Sequence, residues 1–411
     1  MKKTCYMLIF LMSIFMTVCS GSSSDDKDVI PNLTSEQKEE DFEYLCEIFS
    51  KNYPYFEVNK RLNGVDWLAN RNSYKSRICG TTSNISFAVE LYKAVEELNC
   101  EHAGVLMSNF STFAEIYLGN YGSLMNNEPW EAVFSEAKPF YDDYWLPLFQ
   151  NRLNNISESF KTKNNDIINK SLLDGNAVSF KIIESGKTAY MSISSMAIPT
   201  DTEYSKIINF YKNIKSYQNL IIDIRENSGG DDYYWVKMIV PPLLKNSMSC
   251  SFTILHRNGS YAEKFLESRG VVLSDISALP IKSDYPPEYK TMFSRFYNDS
   301  GIIEPADSVG FGGKIYLLTS SKVFSSAETF AMFCKQTGFA TLVGTKTGGD
   351  GGGIDPIEII LPNSKLVVRF PIGMTLNSDG SSNFEKKTTP DVLIEANEDA
   401  LQRALSIING E

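Results

Sequence analysis

An apolar run at 314–319 (Lys-Ile-Tyr-Leu-Leu-Thr), a short turn and a helix-forming run from Ala327 to Thr337 follow one another without a break. A strand that feeds directly into a helix on its way to another strand needs a crossover connection, which commits this part of the chain to an α/β architecture. The texture recurs across 181–411. Strands are predicted at 188–194, 220–223, 251–256, 314–319, 340–343, 356–361 and 365–370, and helices at 232–240 and 325–337.

Ser325 falls on that strand-to-helix turn, in Val323-Phe324-Ser325-Ser326. A serine so placed exposes its hydroxyl and has backbone N–H groups near a helix N-terminus. A second strand end, Leu-Ile-Ile-Asp-Ile-Arg-Glu-Asn-Ser-Gly-Gly at 220–230, supplies glycines whose backbone can approach closely. Together the two turns form a site able to hold an oxyanion, the signature of a serine hydrolase.

The chain has 411 residues, enough for two or three domains, with a net charge of −11. An acidic protein without a run of basic residues in its body is not a nucleic-acid binder, because phosphate affinity needs clustered cations. Lys2 and Lys3 precede an apolar stretch from Tyr6 to Val18, and Cys19 is followed by a Ser/Asp-rich tether. This order predicts a signal peptide over 1–18 and a lipoprotein-type linker over 19–33. Cys19 would be the lipidation site of an anchor in the bacterial cell envelope, with ordinary signal-peptidase cleavage nearby as the alternative. The seven cysteines show no C-x-x-C spacing, so they read as isolated thiols rather than a zinc site or a disulfide framework.

Residues 34–108 read as a small helical N-terminal domain. One helix starts at Ser35 without a full capping box and is broken by Tyr53-Pro54-Tyr55-Phe56; another runs from Ile85 to Leu98. Residues 109–180 form an aromatic-rich connecting region with a helix predicted over 145–160 and an Asn-rich loop at 163–169. Its aromatics are read as packing in preference to a substrate groove.

Four stretches, in order, resemble the family of carboxy-terminal processing and tricorn-core serine peptidases. They are 41–45 with Asp66-Trp67 and Leu98-Asn-Cys-Glu-His102; the 220–230 strand and glycine turn; 318–331 around Ser325; and 342–349 followed by Leu361-Pro-Asn363, Asn383-Phe-Glu385 and Thr389-Pro-Asp-Val392. The resemblance implies a crotonase/Clp-protease-like core and a peptide or protein substrate, with no metal or organic cofactor. It implies Ser325 as nucleophile and an oxyanion hole formed by Ser326 N–H with Gly229 or Gly230. Where the carboxy-terminal processing type carries a lysine base, this chain has Asp350, so the tricorn-like branch with a histidine base is the nearer match.

Of the two histidines, His102 matches the family base and His256, inside a strand run, reads as structural. A neutral imidazole suits a base near neutral pH. Glu385 resembles the family's acidic partner, with Asp350 and Asp391 as rivals, and Lys346 is the next candidate base. The glycine-rich run 348–353 reads as a flexible loop near the site, and Asp223 and Arg225 as architectural. The rival readings are a catalytically degenerate peptide- or glycan-binding scaffold and an esterase-like hydrolase. Against the latter stands the lack of a Gly-x-Ser-x-Gly elbow.

Overall fold

Thr34 opens the first helix, α1 (Ser35–Asn52). Its hydroxyl accepts from Gln37 N–H at 3.2 Å, and the Gln37 side chain bonds back to Thr34 N–H at 2.9 Å. The capping box therefore lies one residue before Ser35, where the sequence predicts an uncapped start. Pro54 ends α1, and three further helices follow: α2 (Phe56–Asn63), α3 (Arg71–Cys79) and α4 (Asn84–Glu96). The computed structural model describes residues 31–119, 126–153, 177–196, 200–395 and 397–411. The signal peptide, Cys19, most of the linker, the second half of the 145–160 helix and the 163–169 loop lie outside the described residues.

After α4 come β1 (Gly104–Val105), α5 (Phe110–Leu118), α6 (Glu128–Phe140) and a π-helical turn (Tyr141–Trp145) leading into α7 (Leu146–Leu153). The core region continues with β2 (Val178–Glu184), β3 (Thr188–Ile193), α8 (Asp201–Ile214), β4 (Asn219–Asp223), β5 (Met248–His256), α9 (Glu263–Ser268), β6 (Ser274–Asp275), α10 (Tyr289–Met292) and β7 (Arg295–Ile303). It closes with β8 (Lys314–Thr319), α11 (Ser326–Thr337), β9 (Thr341–Gly344), β10 (Ile357–Ile360), β11 (Val367–Phe370), β12 (Gly373–Leu376), α12 (Asn383–Lys386), β13 (Val392–Leu393) and α13 (Ala400–Asn409).

The principal sheet has the order β13-β9-β8-β4-β3-β2, parallel except for the β2–β3 pair. Alternation sets its two faces. Leu220 and Ile222 of β4 and Leu317 of β8 pack with α8 and α11, whereas Ile221, Tyr316, Leu318 and Val343 face Ala400 and Ala404 of α13. Both faces are therefore covered, as a parallel sheet requires. This is the α/β core that the alternating pattern predicts. The pattern does not predict α8, β2 or β7, whereas the helix expected over 232–240 is present, wound as a π-helix over Tyr234–Ile239. β7 carries Asn298, Asp299, Ser300 and Gly301, so it owes its strand form to pairing along its whole length with β5.

The helical segment is not packed alone. α1–α4 share a core with β10, β11 and β12, and the Phe49 ring meets Phe370 edge-on at 4.8 Å. Buried Asp41 of α1 accepts the N–H groups of Asn363 (2.7 Å) and Ser364 (2.9 Å), capping the β10–β11 turn. The connecting aromatics belong to the same core. Phe110 stacks on Tyr141, Tyr117 on Trp130, and the indole N–H groups of Trp130 and Trp145 donate to Pro356 and Ser364 carbonyls. They pack, as predicted, and the cost of burying each indole N–H is met by an acceptor. Residues Leu33–Glu411 form one unit.

Candidate active site

Three adjacent parallel strands, β4, β8 and β9, end on the same edge of the sheet, where open α/β sheets place their ligands. The turn after β4 carries Gly229 and Gly230, the turn after β8 carries Ser325, and the loop after β9 carries Asp350. Two single-residue pairings staple these turns together. Phe324 bridges Gly349, with Ser325 N–H to Gly349 O at 3.4 Å and Gly348 N–H to Val323 O at 2.6 Å; Met196 bridges Gly230.

Ser325 has φ 56° and ψ −125°, a backbone conformation that a residue with a Cβ adopts only under strain, at a cost of roughly 1–3 kcal/mol. The bend leaves Ser326 as the first residue of α11. Gly229 fits against that bend only because it lacks a side chain: a Cβ there would stand 2.8 Å from both Phe324 O and Ser325 Cβ. Its own N–H is occupied by Asn227 Oδ1 at 2.8 Å. Among the described residues no acceptor is bonded to the N–H of Gly230 or of Ser326. Of the two glycines, Gly230 is therefore the one with a donor to offer.

His102 comes from the other side, on the turn between α4 and β1. β1 adds to the edge of β11 through Gly104–Arg369 and Val105–Val368, which fixes where the imidazole arrives. The ring packs on Phe324 at 4.6 Å between centroids. His102 Nε2 lies 3.1 Å from Ser325 Oγ, and His102 Nδ1 lies 2.7 Å from Asp350 Oδ2.

The carboxylate bonded to His102 is thus that of Asp350 and not that of Glu385. Glu385 is bonded to Arg61 at 2.6 Å, and the same guanidinium holds Glu288 at 2.8 and 3.0 Å. Its work is to tie α2 to α12. Asp391, the other rival, caps the N–H of Leu342 and pairs with Lys335, and Lys346 is exposed on the turn beyond β9. His256 is buried and stacked on Tyr297, and burial pushes its imidazole down to about 4. Asp223 is gripped by Arg225, which also reaches Asp399, an architectural arrangement.

The glycine run 348–353 is close-packed rather than loose. A Cβ at Gly351 would meet Glu328 Cγ and Thr329 N at 2.8 Å, and Gly352 N–H donates to Thr329 Oγ1. Glu328, fully buried in the first turn of α11, accepts from Asn383 Nδ2 (2.7 Å) and Thr388 Oγ1 (2.6 Å), and burial raises its carboxyl above the usual range. Asn383 in turn accepts Gly351 N–H. These contacts hold Asp350 at φ 60° with its carboxylate turned inward.

Two further side chains meet Asp350: Tyr55, which is not legible as a site residue in the sequence, and Cys100, which stands two positions before His102 where the resembled family has an aspartate. Tyr55 Oη lies 2.7 Å from Asp350 Oδ1 and 3.0 Å from the Gly373 carbonyl, with its ring stacked on Phe384. Cys100 Sγ lies 3.8 Å from Asp350 Oδ2. Burial raises both the phenol and the thiol well above their ordinary values, so both stay protonated and able to donate. The only sequence signal for Tyr55 is its place in the helix-breaking Tyr53-Pro54-Tyr55-Phe56.

The model of peptidase family S41 matches residues 187–394, half of the chain. No protein of curated function matches it. Among solved structures, a suspected peptidase from Parabacteroides merdae is 18% identical and superposes with a TM-score of 0.56 over 92% of this chain and 97% of the other. Mature CPAF complexed with lactacystin is 14% identical, with a TM-score of 0.55 over 92% of this chain and 99% of that one. At such identities the structures speak for the fold alone, whereas the family model bears on the strands and turns that carry Gly230, Ser325 and Asp350. The chain therefore belongs to peptidase family S41, the serine-type peptidases that its motifs resemble.

Proposed function

We propose that Ser325, His102 and Asp350 act as a catalytic triad that hydrolyses peptide bonds through an acyl-enzyme. The observation that carries this reading is the continuous chain from Ser325 Oγ to His102 Nε2 (3.1 Å) and from His102 Nδ1 to Asp350 Oδ2 (2.7 Å). His102 Nε2 takes the Ser325 proton as Oγ attacks the scissile carbonyl. The Gly230 and Ser326 N–H groups receive the oxyanion, and the imidazolium returns the proton to the leaving amine. Water then repeats the sequence on the acyl-serine. Asp350 accepts the hydrogen bond from Nδ1, fixing the tautomer and stabilising the imidazolium. Peptides or proteins are the substrates that membership of a peptidase family implies.

The deciding experiment is labelling of the full-length protein with a fluorophosphonate probe, with Ser325→Ala as control. Labelling confined to the wild type is the expected result. A wild type that does not label would leave a binding scaffold as the better reading.

Tyr55 is a positioning residue in this scheme. Tyr55→Phe removes one donor to Asp350 while keeping the ring against Phe384, and kcat is expected to fall roughly tenfold with KM unchanged. Steady-state kinetics on a peptide substrate reads this directly; a Tyr55→Phe effect of the same size in the wild type and in the Asp350→Asn background would argue against it.

The N-terminal order of two lysines, an apolar run and Cys19 supports export and lipid anchoring at Cys19 in a bacterial envelope. No helix among the described residues is long and apolar enough to cross a membrane. Mass spectrometry of the mature N-terminus tests this: an unmodified residue other than Cys19 at the start would exclude the anchor.

A further inference from the structure

Between the C-terminal part of α11 and the 377–389 segment lies a cavity of about 530 Å³. None of Ser325, His102 and Asp350 lines it. Four lysines do: Lys335, Lys346, Lys386 and Lys387. This is unexpected on a chain of net charge −11. Two of the four are already answered, Lys335 by Asp391 and Lys386 by Glu385 at 3.7 Å. The ammonium groups of Lys346 and Lys387 donate no hydrogen bond and form no ion pair among the described residues. Two acids also line the cavity. Asp379 is occupied by the N–H and hydroxyl of Ser381, which leaves exposed Asp284 as the one uncommitted carboxylate.

Lys387 is the more constrained of the free pair. Its backbone has φ 63°, its ammonium sits over the Phe384 ring at 4.7 Å, and its stem passes alongside Gly349. Burial lowers its basicity, and the carboxylates of Asp350, Glu328 and Glu101 and the Cys100 thiol oppose that effect from the triad side. The remaining walls are of mixed character. Phe252 and Met332 are apolar, and the hydroxyls of Ser378 and Thr389 have no partner among the described residues.

We propose that this cavity binds a small organic dianion, a phosphate monoester or a dicarboxylate. The two ammonium groups that hold no acid in a hydrogen bond take its charges, the two hydroxyls donate to its oxygens, and Phe252 and Met332 cover its carbon skeleton. The volume falls within the range of small-ligand sites, and charge-assisted hydrogen bonds supply the affinity. Lys387 is shared between this cavity and the surroundings of Asp350, so an occupant would sit one side chain from the triad without touching it. That is the position of a regulator, not of the peptide being cut. The proposal does not depend on the catalytic roles assigned above.

The test is isothermal titration of the full-length protein with inorganic phosphate and, separately, with succinate; the better probe identifies the class. Saturable binding of at least one is expected, weakened roughly tenfold in Lys346→Gln and in Lys387→Met and unchanged in Ser325→Ala. Lys346 is exposed, so Lys346→Gln alone decides should Lys387→Met fail to fold. The proposal is overturned by an absence of saturable binding, by wild-type affinity in Lys346→Gln, or by loss of binding in Ser325→Ala, which would move the anion to the catalytic serine.

Discussion

Ser325→Ala is expected to lower turnover about a million-fold, the scale on which loss of a serine nucleophile acts when its base and oxyanion hole remain. The fold should hardly respond. The Ser325 hydroxyl bonds only to His102 among the described residues, and alanine keeps the same Cβ in the same strained turn. Peptide hydrolysis and thermal melting measured on the same preparation separate the two effects. Substantial turnover by a well-folded Ser325→Ala protein would place the nucleophile elsewhere. A large drop in melting temperature would instead show the hydroxyl to be structural.

Asp350→Asn carries the second large effect, a fall in kcat of roughly ten-thousand-fold. The asparagine amide can donate where the carboxylate only accepts. An N–H pointed at His102 Nδ1 forces the ring proton onto Nε2, the nitrogen that must receive the Ser325 proton. The shape of the site is kept and its proton inventory is wrong. Glu385→Gln is the contrast. It weakens a bond to Arg61 that joins α2 to α12 and leaves the imidazole untouched, so kcat should stay near wild type while the melting temperature falls. Reversed results in the two variants would restore Glu385 as the acid.

The comparison of Asp350 with Glu385 shows where sequence reasoning reaches its limit. The strands β4 and β8 and the start of α11 are visible in the chain because alternation, glycine turns and a helix-forming run are local properties. Ser325 inherits its address from them, and His102 from a recognisable motif. Which carboxylate meets His102 is decided by long-range packing. Glu385 sits in a matching motif yet is claimed by Arg61, which lies more than three hundred residues away in the chain. Asp350 looks like a solvated loop charge until Glu328, Asn383 and Thr329 are seen to compress the glycines around it. Tyr55 is hidden for the same reason, since its Asp350 contact is a product of the shared helix–sheet core. β7 escapes notice because nothing in its polar composition calls for a strand until β5 provides the partner.

β1 pairs with β11 over two residues, and His102 hangs from its end. The parallel sheet that presents Ser325 is held by several longer ladders and by helices on both faces. Heat will therefore find two thresholds in this protein. Opening of the short β1 ladder breaks alignment of the imidazole at little cost in buried surface, and the sheet melts later. Catalysis should fade reversibly over a range of temperature in which far-ultraviolet dichroism still records an intact molecule, so that the enzyme behaves as its own thermal cut-out.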